Sequence, residues 1–200
     1  SSAFVLMLAP FLAGCRNPAP VEEKPAATSP DAAPLNVFAS IPPVAFLIEQ
    51  VGGDLVHAQV LLQAGQEPHT FEPTPRQIAA LSACRQFYIV GTLPFEEALA
   101  GRLASGTGGL EVVELSKGIA LRELEPDGHE HHDHGHEHGV GADPHVWLGP
   151  GELRTMAENT AEALSNTLPE YASEFDANLK DFMAKVNEVD GRIRQTLAPY

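Results

Sequence analysis

The 200-residue sequence is poor in basic residues, in cysteine and in long hydrophobic runs. It contains 12 Lys and Arg residues against 27 Asp and Glu residues, which gives a formal net charge of −15. Nucleic acid and anionic lipid surfaces repel such a chain, so the charge balance argues against them as partners and suits divalent cations instead. The longest apolar run, residues 3–14, is too short for a transmembrane helix, which needs roughly 20 residues.

Motifs of common enzymes are also missing. The sequence has no His-Glu-x-x-His zinc-protease motif and no Gly-x-Ser-x-Gly nucleophile elbow. The glycine-rich segment 106–109 lacks the lysine and the spacing of a phosphate-binding loop, so we interpret it as a turn. The apolar content of 44% is nevertheless enough for one well-formed hydrophobic core.

The first 34 residues have the features of an exported lipoprotein. The apolar run has the length of a signal-peptide hydrophobic region, and it ends in Leu12-Ala13-Gly14-Cys15, which resembles a bacterial lipobox whose cysteine becomes the lipidated N-terminus. The alternative is a buried strand with a chance cysteine. Residues 16–34 hold five prolines and no aromatic residue, which is typical of an extended tether. We expect a signal peptide at 1–15, a tether at 16–34 and a domain held outside the cytoplasm from residue 35.

From residue 35 onward, short apolar runs alternate with segments of helical periodicity. This alternation predicts an α/β fold, in which helices cover both faces of a parallel sheet and ligands bind at loops beyond the carboxyl ends of the strands. Thr74-Pro75-Arg76-Gln77 resembles a capping box that opens one of the helices. The predicted strands are 36–40, 58–62, 86–90 and 111–115, and the predicted helices are 44–51, 75–83, 95–103 and 150–167.

A last helix of unusual length is predicted to start at Pro169. Apolar residues recur there at every third or fourth position over 27 residues, which is about 40 Å of helix. They are Tyr171, Phe175, Leu179, Phe182, Val186, Val189, Ile193 and Leu197. A helix this long after a nearly complete α/β lobe indicates a connection to a further part of the protein, so we expect the natural chain to continue.

Two short motifs match each other. Glu67-Pro68-His69-Thr70-Phe71 and Asp143-Pro144-His145-Val146-Trp147 both read acid, proline, histidine, any residue, aromatic, and a proline-started helix follows each. Proline stiffens the loop, and the aromatic residue can anchor the loop in the core. The histidine is then presented in one orientation, as a metal ligand must be. We therefore interpret His69 and His145 as candidate metal ligands, with histidines hydrogen-bonded in tight loops as the alternative.

Two ligands do not complete a metal site, because zinc takes four donors. The nearby carboxylates of Glu72 and Asp143 are candidates for further ligands or for hydrogen-bond partners of the ligating histidines. We expect the other donors to lie beyond residue 200.

The segment HEHHDHGHEH forms part of a predicted loop at 127–141. It carries His129, His131, His132, His134, His136 and His138, and glycines border it on both sides. A loop without an apolar anchor has to be ordered when it binds, so it should hold metal more weakly than a preformed site does. A purely solvated loop is the alternative, since composition supports metal contact but not its purpose.

The segments GQEPHTFEPTP and DPHVWLGP, with a histidine-rich insertion between them, resemble the solute-binding lipoproteins of zinc and manganese ABC importers, and the zinc receptors of bacterial periplasms most closely. That resemblance implies two α/β lobes joined by one long helix, with metal held between the lobes. Residues 35–168 would form the first lobe, and residues 169–200 would begin the helix between the lobes. His69 and His145 match the first two ligands of the family, whereas the remaining ligands belong to a second lobe that this sequence lacks.

The resemblance implies a binding protein without enzymatic activity, which captures Zn²⁺ outside the cytoplasmic membrane and delivers it to an ABC permease. The histidine-rich loop would capture zinc as an accessory. Imidazole-rich sites favour zinc over manganese, which prefers oxygen donors. A manganese or iron receptor of the same fold is one alternative. The other is a metal-dependent hydrolase that uses His69 and His145 around an open coordination position.

Overall fold

The computed structural model describes residues 33–68, 70–104, 109–123 and 143–199. Within them the chain forms four strands and five α-helices, with short 3₁₀ turns at Gly53–Leu55, Val146–Leu148 and Pro169–Tyr171. The strands are β1 (Leu35–Ala39), β2 (Val56–Val60), β3 (Gln86–Ile89) and β4 (Glu111–Glu114). The helices are α1 (Pro42–Gly52), α2 (Pro75–Ser82), α3 (Pro94–Ala104), α4 (Pro150–Thr167) and α5 (Ala172–Leu197).

The four strands form one parallel sheet in the order β2-β1-β3-β4. Phe38 on β1 pairs with Phe87 on β3, and Tyr88 on β3 pairs with Val113 on β4. Successive residues of β3 point to opposite faces of the sheet, and all four are buried, so helices cover both faces at the centre. The predicted α/β class with a parallel sheet is confirmed.

The helix starts follow from local sequence. Thr74 and Gln77 form the predicted capping box: the Thr74 hydroxyl accepts from the Gln77 backbone N–H at 3.3 Å, and the Gln77 side-chain oxygen accepts from the Thr74 N–H at 2.9 Å. Proline occupies the first turn of α1, α2 and α4, where its missing N–H costs no hydrogen bond. Most elements lie within two residues of their predicted bounds. The exception is the last helix, which was predicted from Pro169: residues Pro169–Tyr171 form a 3₁₀ turn, and α5 begins at Ala172.

Helices α1, α4 and α5 pack against one another, and α1 and α4 also contact the sheet. Leu47 and Ile48 of α1, Leu164 of α4 and Phe175 of α5 are fully buried there. The predicted apolar stripe of α5 divides into two parts. Phe175 and Phe182 join the core, whereas Val189, Ile193 and Leu197 are exposed among the described residues, although the helix runs unbroken through Gly191.

None of the described helices is both long enough and apolar enough to cross a bilayer.

Candidate metal site

The strand order reverses between β1 and β3, which makes their carboxyl ends the usual place for a ligand in an open parallel sheet. The loop that follows β3, residues 90–93, lies at this edge and leads into α3. It turns at Gly91, whose φ of 95° is a left-handed conformation that glycine adopts without strain. Both predicted motifs contact this loop or the first turn of α3.

The motif around His145 forms a compact turn. One carboxylate oxygen of Asp143 accepts from the backbone N–H of His145 at 3.0 Å and lies 2.8 Å from Nδ1 of its ring. Because a carboxylate only accepts, the ring hydrogen belongs on Nδ1, and the lone pair of the neutral imidazole is left on Nε2. The ring is 58% exposed and meets Trp147 edge to face at 5.4 Å.

The hydrogen bonds at His145 also act on Asp143. The backbone N–H of His145, its ring and then the charge of Arg122 hold the pKa of the Asp143 carboxyl below its usual value. The Asp143 N–H donates to the Arg122 carbonyl at 2.7 Å, which ties the motif to the chain before the histidine-rich segment. Asp143 is therefore an ionised hydrogen-bond acceptor at neutral pH, as a partner of a ligating histidine should be.

A side chain from the β3–α3 loop holds the same motif from the other side. The hydroxyl of Thr92 donates to the Pro144 carbonyl at 3.1 Å, across 52 residues of sequence. The loop itself is held by Glu96, a fully buried residue whose carboxylate accepts from the N–H groups of Val90, Gly91 and Leu93 at 2.9, 2.8 and 3.3 Å.

Burial raises the pKa of Glu96, and its hydrogen bonds oppose that shift. The hydroxyl of Ser40, at the carboxyl end of β1, lies near enough to lower the pKa of Glu96. It nonetheless makes no hydrogen bond of good geometry with any described residue. The side chain of Glu96 thus lies between the carboxyl ends of β1 and β3, where it accepts hydrogen bonds from the backbone of the loop after β3.

A cavity of about 210 Å³ opens beside the imidazole of His145. A salt bridge of 3.5 Å joins Arg122 to Glu152 at its rim. Glu152 lies in the first turn of α4, where the helix dipole favours a negative charge, and it folds back over Gly149. The residues that line the cavity are Ala120, Arg122, Asp143, His145, Val146, Leu148, Gly149 and Glu152.

The motif that contains His69 is anchored by its aromatic residue. A turn at residues 63–66, with Gly65 at φ 85°, leads into the motif. Phe71, at the end of the motif, packs edge to face on Phe95 at 5.3 Å. Phe95 is buried in the first turn of α3, three residues after Thr92. The predicted anchoring role of the aromatic residue is confirmed for Phe71.

The structure brings some of the predicted site residues together. Asp143 contacts His145, whereas Glu72 is exposed and lines a different cavity with Phe71, Phe95 and Arg102. His69, the loop histidines 129, 131, 132, 134, 136 and 138, and Cys15 lie outside the described residues. Within the described ranges no three His, Cys, Asp or Glu side chains are grouped so that they could hold a metal ion.

Sequence reasoning missed Thr92 and Glu96. Both follow β3 directly, so the rule that ligands bind beyond the carboxyl ends of strands could have drawn attention to this segment. Glu96 also occupies the third position of α3, where a glutamate often accepts from the N–H at the start of its own helix. Nothing in the sequence itself pairs Thr92 with Pro144.

Comparison with known proteins finds metal-binding proteins of bacteria. A family profile described as ZnuA, zinc-uptake complex component A, periplasmic, matches residues 37–200. The zinc-binding protein AdcA of Streptococcus pyogenes is 29% identical over 166 residues, which are 78% of this chain and 32% of AdcA. The manganese-binding lipoprotein MntA of Halalkalibacterium halodurans is 27% identical over 189 residues, which are 94% of this chain and 56% of MntA.

Among solved structures, the crystal structure of a zinc-bound ZnuA deletion mutant superposes with a TM-score of 0.72 and 29% identity, and the match covers 83% of this chain and 59% of that one. The chain therefore spans about a third of the length of AdcA, and between half and two thirds of MntA and ZnuA.

Proposed function

The chain belongs to the ZnuA family of periplasmic zinc-uptake components, and from this premise we propose that it is part of an extracytoplasmic receptor that captures Zn²⁺ and delivers it to an ABC-type permease. His69 and His145 are two of the zinc ligands, and the other ligands come from sequence outside these 200 residues. The protein binds and releases its metal without making or breaking a covalent bond.

One observation carries the proposal: both histidine motifs are anchored on the same short segment at the carboxyl edge of the sheet. Thr92 holds the residue before His145, and Phe95 holds the residue two positions after His69. Anchors three residues apart support a shared site for the two imidazoles at the reversal of strand order. The Nε2 of His145, left as the coordinating nitrogen by Asp143, suits zinc, which commonly takes neutral imidazole.

The choice of zinc rests on the donors. Two imidazoles in the site and six histidines in the adjacent segment 129–138 are nitrogen donors that zinc accepts and manganese disfavours. The histidine-rich segment acts as an accessory that collects zinc with lower affinity, because its sequence offers no apolar anchor that would preform a site.

Attachment to the membrane is the second part of the proposal. Lipidation of Cys15, with cleavage between Gly14 and Cys15, anchors the protein to the outer face of a bacterial membrane, and residues 16–34 act as the tether. Labelling cells with a radioactive fatty acid tests this: the native protein should incorporate label, and a Cys15→Ala variant should not.

Zinc titration of the full-length protein tests the binding function. His69→Ala and His145→Ala should each abolish tight binding, whereas deletion of residues 129–138 should remove only weak, multiple binding. His57→Ala is the matched control, because His57 lies in β2 on the exposed side, outside both motifs. Equal loss of tight binding in the deletion variant would reverse the assignment of the two sites.

A manganese receptor is the second candidate, since MntA matches 94% of this chain. Competition between Zn²⁺ and Mn²⁺ for the native full-length protein distinguishes a zinc receptor from a manganese receptor. Preference for Mn²⁺ at equal free concentration would replace the zinc assignment and leave the site unchanged.

A further inference from the structure

The peptide bond between Pro144 and His145 is held at both of its polar atoms. Its carbonyl oxygen accepts from the Thr92 hydroxyl at 3.1 Å, and its N–H donates to the Asp143 carboxylate at 3.0 Å. Two hydrogen bonds on opposite sides of one planar group fix both the position and the tilt of that plane. The Cα of His145, and with it the starting point of the imidazole, is fixed as well.

The two bonds differ in where they come from. Asp143 belongs to the motif itself and moves with it, so its bond shapes the turn but does not set the position of the turn on the sheet. Thr92 belongs to the β3–α3 loop and ties the motif to a separate part of the fold. The Thr92 bond therefore ties the turn directly to the loop beyond β3, whereas the bond from the Asp143 N–H to the Arg122 carbonyl ties it to the chain after β4.

Thr92 can do this because its own loop is rigid. The N–H groups of Val90, Gly91 and Leu93, on both sides of Thr92, donate to the buried carboxylate of Glu96. Three backbone N–H bonds to one buried side chain fix the loop backbone on both sides of Thr92. Phe95, next to Glu96, carries the aromatic anchor of the other motif, so the same rigid segment serves both.

We propose that Thr92 is a positioning residue of the metal site, which sets the distance between His145 and the other ligands through its hydroxyl bond to the Pro144 carbonyl. This inference rests on the proposed metal-binding function. Threonine holds the bond without touching the metal, so its loss displaces one ligand and leaves the set of ligands intact. The expected signature is weaker binding through faster release, with little change in the stability of the metal-free protein.

The test compares Thr92→Val with Thr92→Ser in the full-length protein. Valine keeps the shape and removes the hydroxyl, whereas serine keeps the hydroxyl. Thr160→Val is the matched control, since Thr160 donates the same kind of bond to the Met156 carbonyl at 2.8 Å inside α4. Zinc affinity is measured by competition with a chelator strong enough to empty the weak sites. Release rates are measured by stopped flow, and stability by thermal unfolding of the metal-free protein.

Thr92→Val should weaken zinc binding roughly tenfold, which is the smallest loss of affinity expected when a residue that supports a metal ligand is removed. Most of the change should be in the rate of zinc release. Thr92→Ser should bind within about twofold of the native protein, and Thr160→Val should bind as the native protein does. Native affinity in Thr92→Val would overturn the inference, as would equal losses in the valine and serine variants or an equal loss in Thr160→Val.

A parallel titration of His145→Ala separates failure of this inference from failure of the proposed function. If His145→Ala loses tight binding and Thr92→Val does not, only the positioning role is wrong. Tight zinc binding by His145→Ala would show that the proposed site itself is wrong, and the role of Thr92 would fall with it.

Discussion

A single carboxylate oxygen of Asp143 accepts hydrogen bonds from two groups of His145, the backbone N–H at 3.0 Å and ring Nδ1 at 2.8 Å. The first contact closes the turn, and the second selects the ring tautomer. An aspartate two residues before a histidine can make both contacts at once because its short side chain reaches forward along the turn. The shape of the loop and the chemistry of the imidazole are thus set by the same atom.

Asp143→Asn should weaken zinc binding roughly 10–100-fold. The asparagine amide can donate to Nδ1, which would favour the hydrogen on Nε2, the nitrogen needed by the metal. Competition titration measures the loss, and NMR of the imidazole nitrogens in the metal-free protein reports the tautomer. Asp176→Asn, at an exposed position of α5, makes the same change in net charge and should bind normally. An equal loss in Asp176→Asn would assign the effect to long-range attraction of the cation.

The low pKa of Asp143 has a consequence in acid. A carboxyl whose folded pKa is lowered contributes stabilisation that is present above its ordinary value of about 3.9 and is lost as the pH falls through the folded pKa. The turn should therefore persist at mildly acidic pH, and in the metal-free protein the backbone amide resonance of His145 should keep its native position until the pH falls below that ordinary value. Zinc affinity should decrease with acid before the turn opens, because imidazole coordinates only when it is neutral. Loss of that amide position at the pH where zinc is released would contradict this order.

Phe71→Ala should weaken both folding and zinc binding. Phe71 is half-buried against Phe95, so the loss should lie between the ~1 kcal/mol of an aromatic pair and the ~3–5 kcal/mol of a fully buried phenylalanine. Zinc affinity should fall because the motif that carries His69 loses its anchor. Phe46→Ala is the matched control: Phe46 also meets a ring edge to face, Phe182 at 5.9 Å, but on α5. It should lower the free energy of unfolding without changing zinc affinity. Loss of affinity in both variants would mean that Phe71 acts through general stability.

The fold was predictable wherever the signals are local. Proline at the start of a helix, the Thr74 capping box and alternating apolar runs act through neighbours in sequence, and each of these elements lies close to its predicted bounds. The long stripe of α5 predicted a helix but not its environment. The same periodicity covers Phe175, which is buried, and Ile193, which is exposed.

The candidate site was predictable only in part, because some of its contacts join residues that are far apart in sequence. Asp143 and His145 are two residues apart, so their contact follows from the motif. The bond from Thr92 to Pro144 spans 52 residues and depends on which strand ends lie next to each other. The burial of Glu96 is likewise a result of tertiary packing. In the sequence alone, the acidic pair Glu96-Glu97 is typical of a solvent-exposed first turn of a helix.

Glu96→Gln should destabilise the fold by about 1–3 kcal/mol, because the new amide N–H₂ would face backbone N–H donors that now share the side-chain oxygens of Glu96. The effect should depend on pH. Burial raises the pKa of Glu96, so the native state keeps this proton in a range where the unfolded chain, with a glutamate pKa of about 4.3, has lost it. The contribution of Glu96 to the free energy of unfolding must then decrease as the pH rises through that range.

Denaturant unfolding of both proteins between about pH 4 and 8 measures this effect. The stability gap between the native protein and Glu96→Gln should be widest at the acidic end and should narrow as the pH rises. Glu97→Gln, at the exposed neighbouring position, should show a small gap without this trend. A gap that widens with pH would mean that hydrogen bonding outweighs burial and lowers the pKa of Glu96.

Gly91→Ala tests whether a change in the backbone of the β3–α3 loop, which carries Thr92, alters the rate of zinc release. Gly91 has φ 95°, and a Cβ there would meet the side chain of Glu114 on β4. Alanine should therefore cost about 2 kcal/mol or more in the free energy of unfolding, and the shift of Thr92 should speed zinc release. Gly191→Ala, in the interior of α5 with nothing near its Cβ, should instead stabilise the protein by about 0.5–1 kcal/mol and leave zinc release unchanged. If Gly91→Ala lowers stability while zinc release keeps its native rate, the geometry of the β3–α3 loop does not control the position of His145.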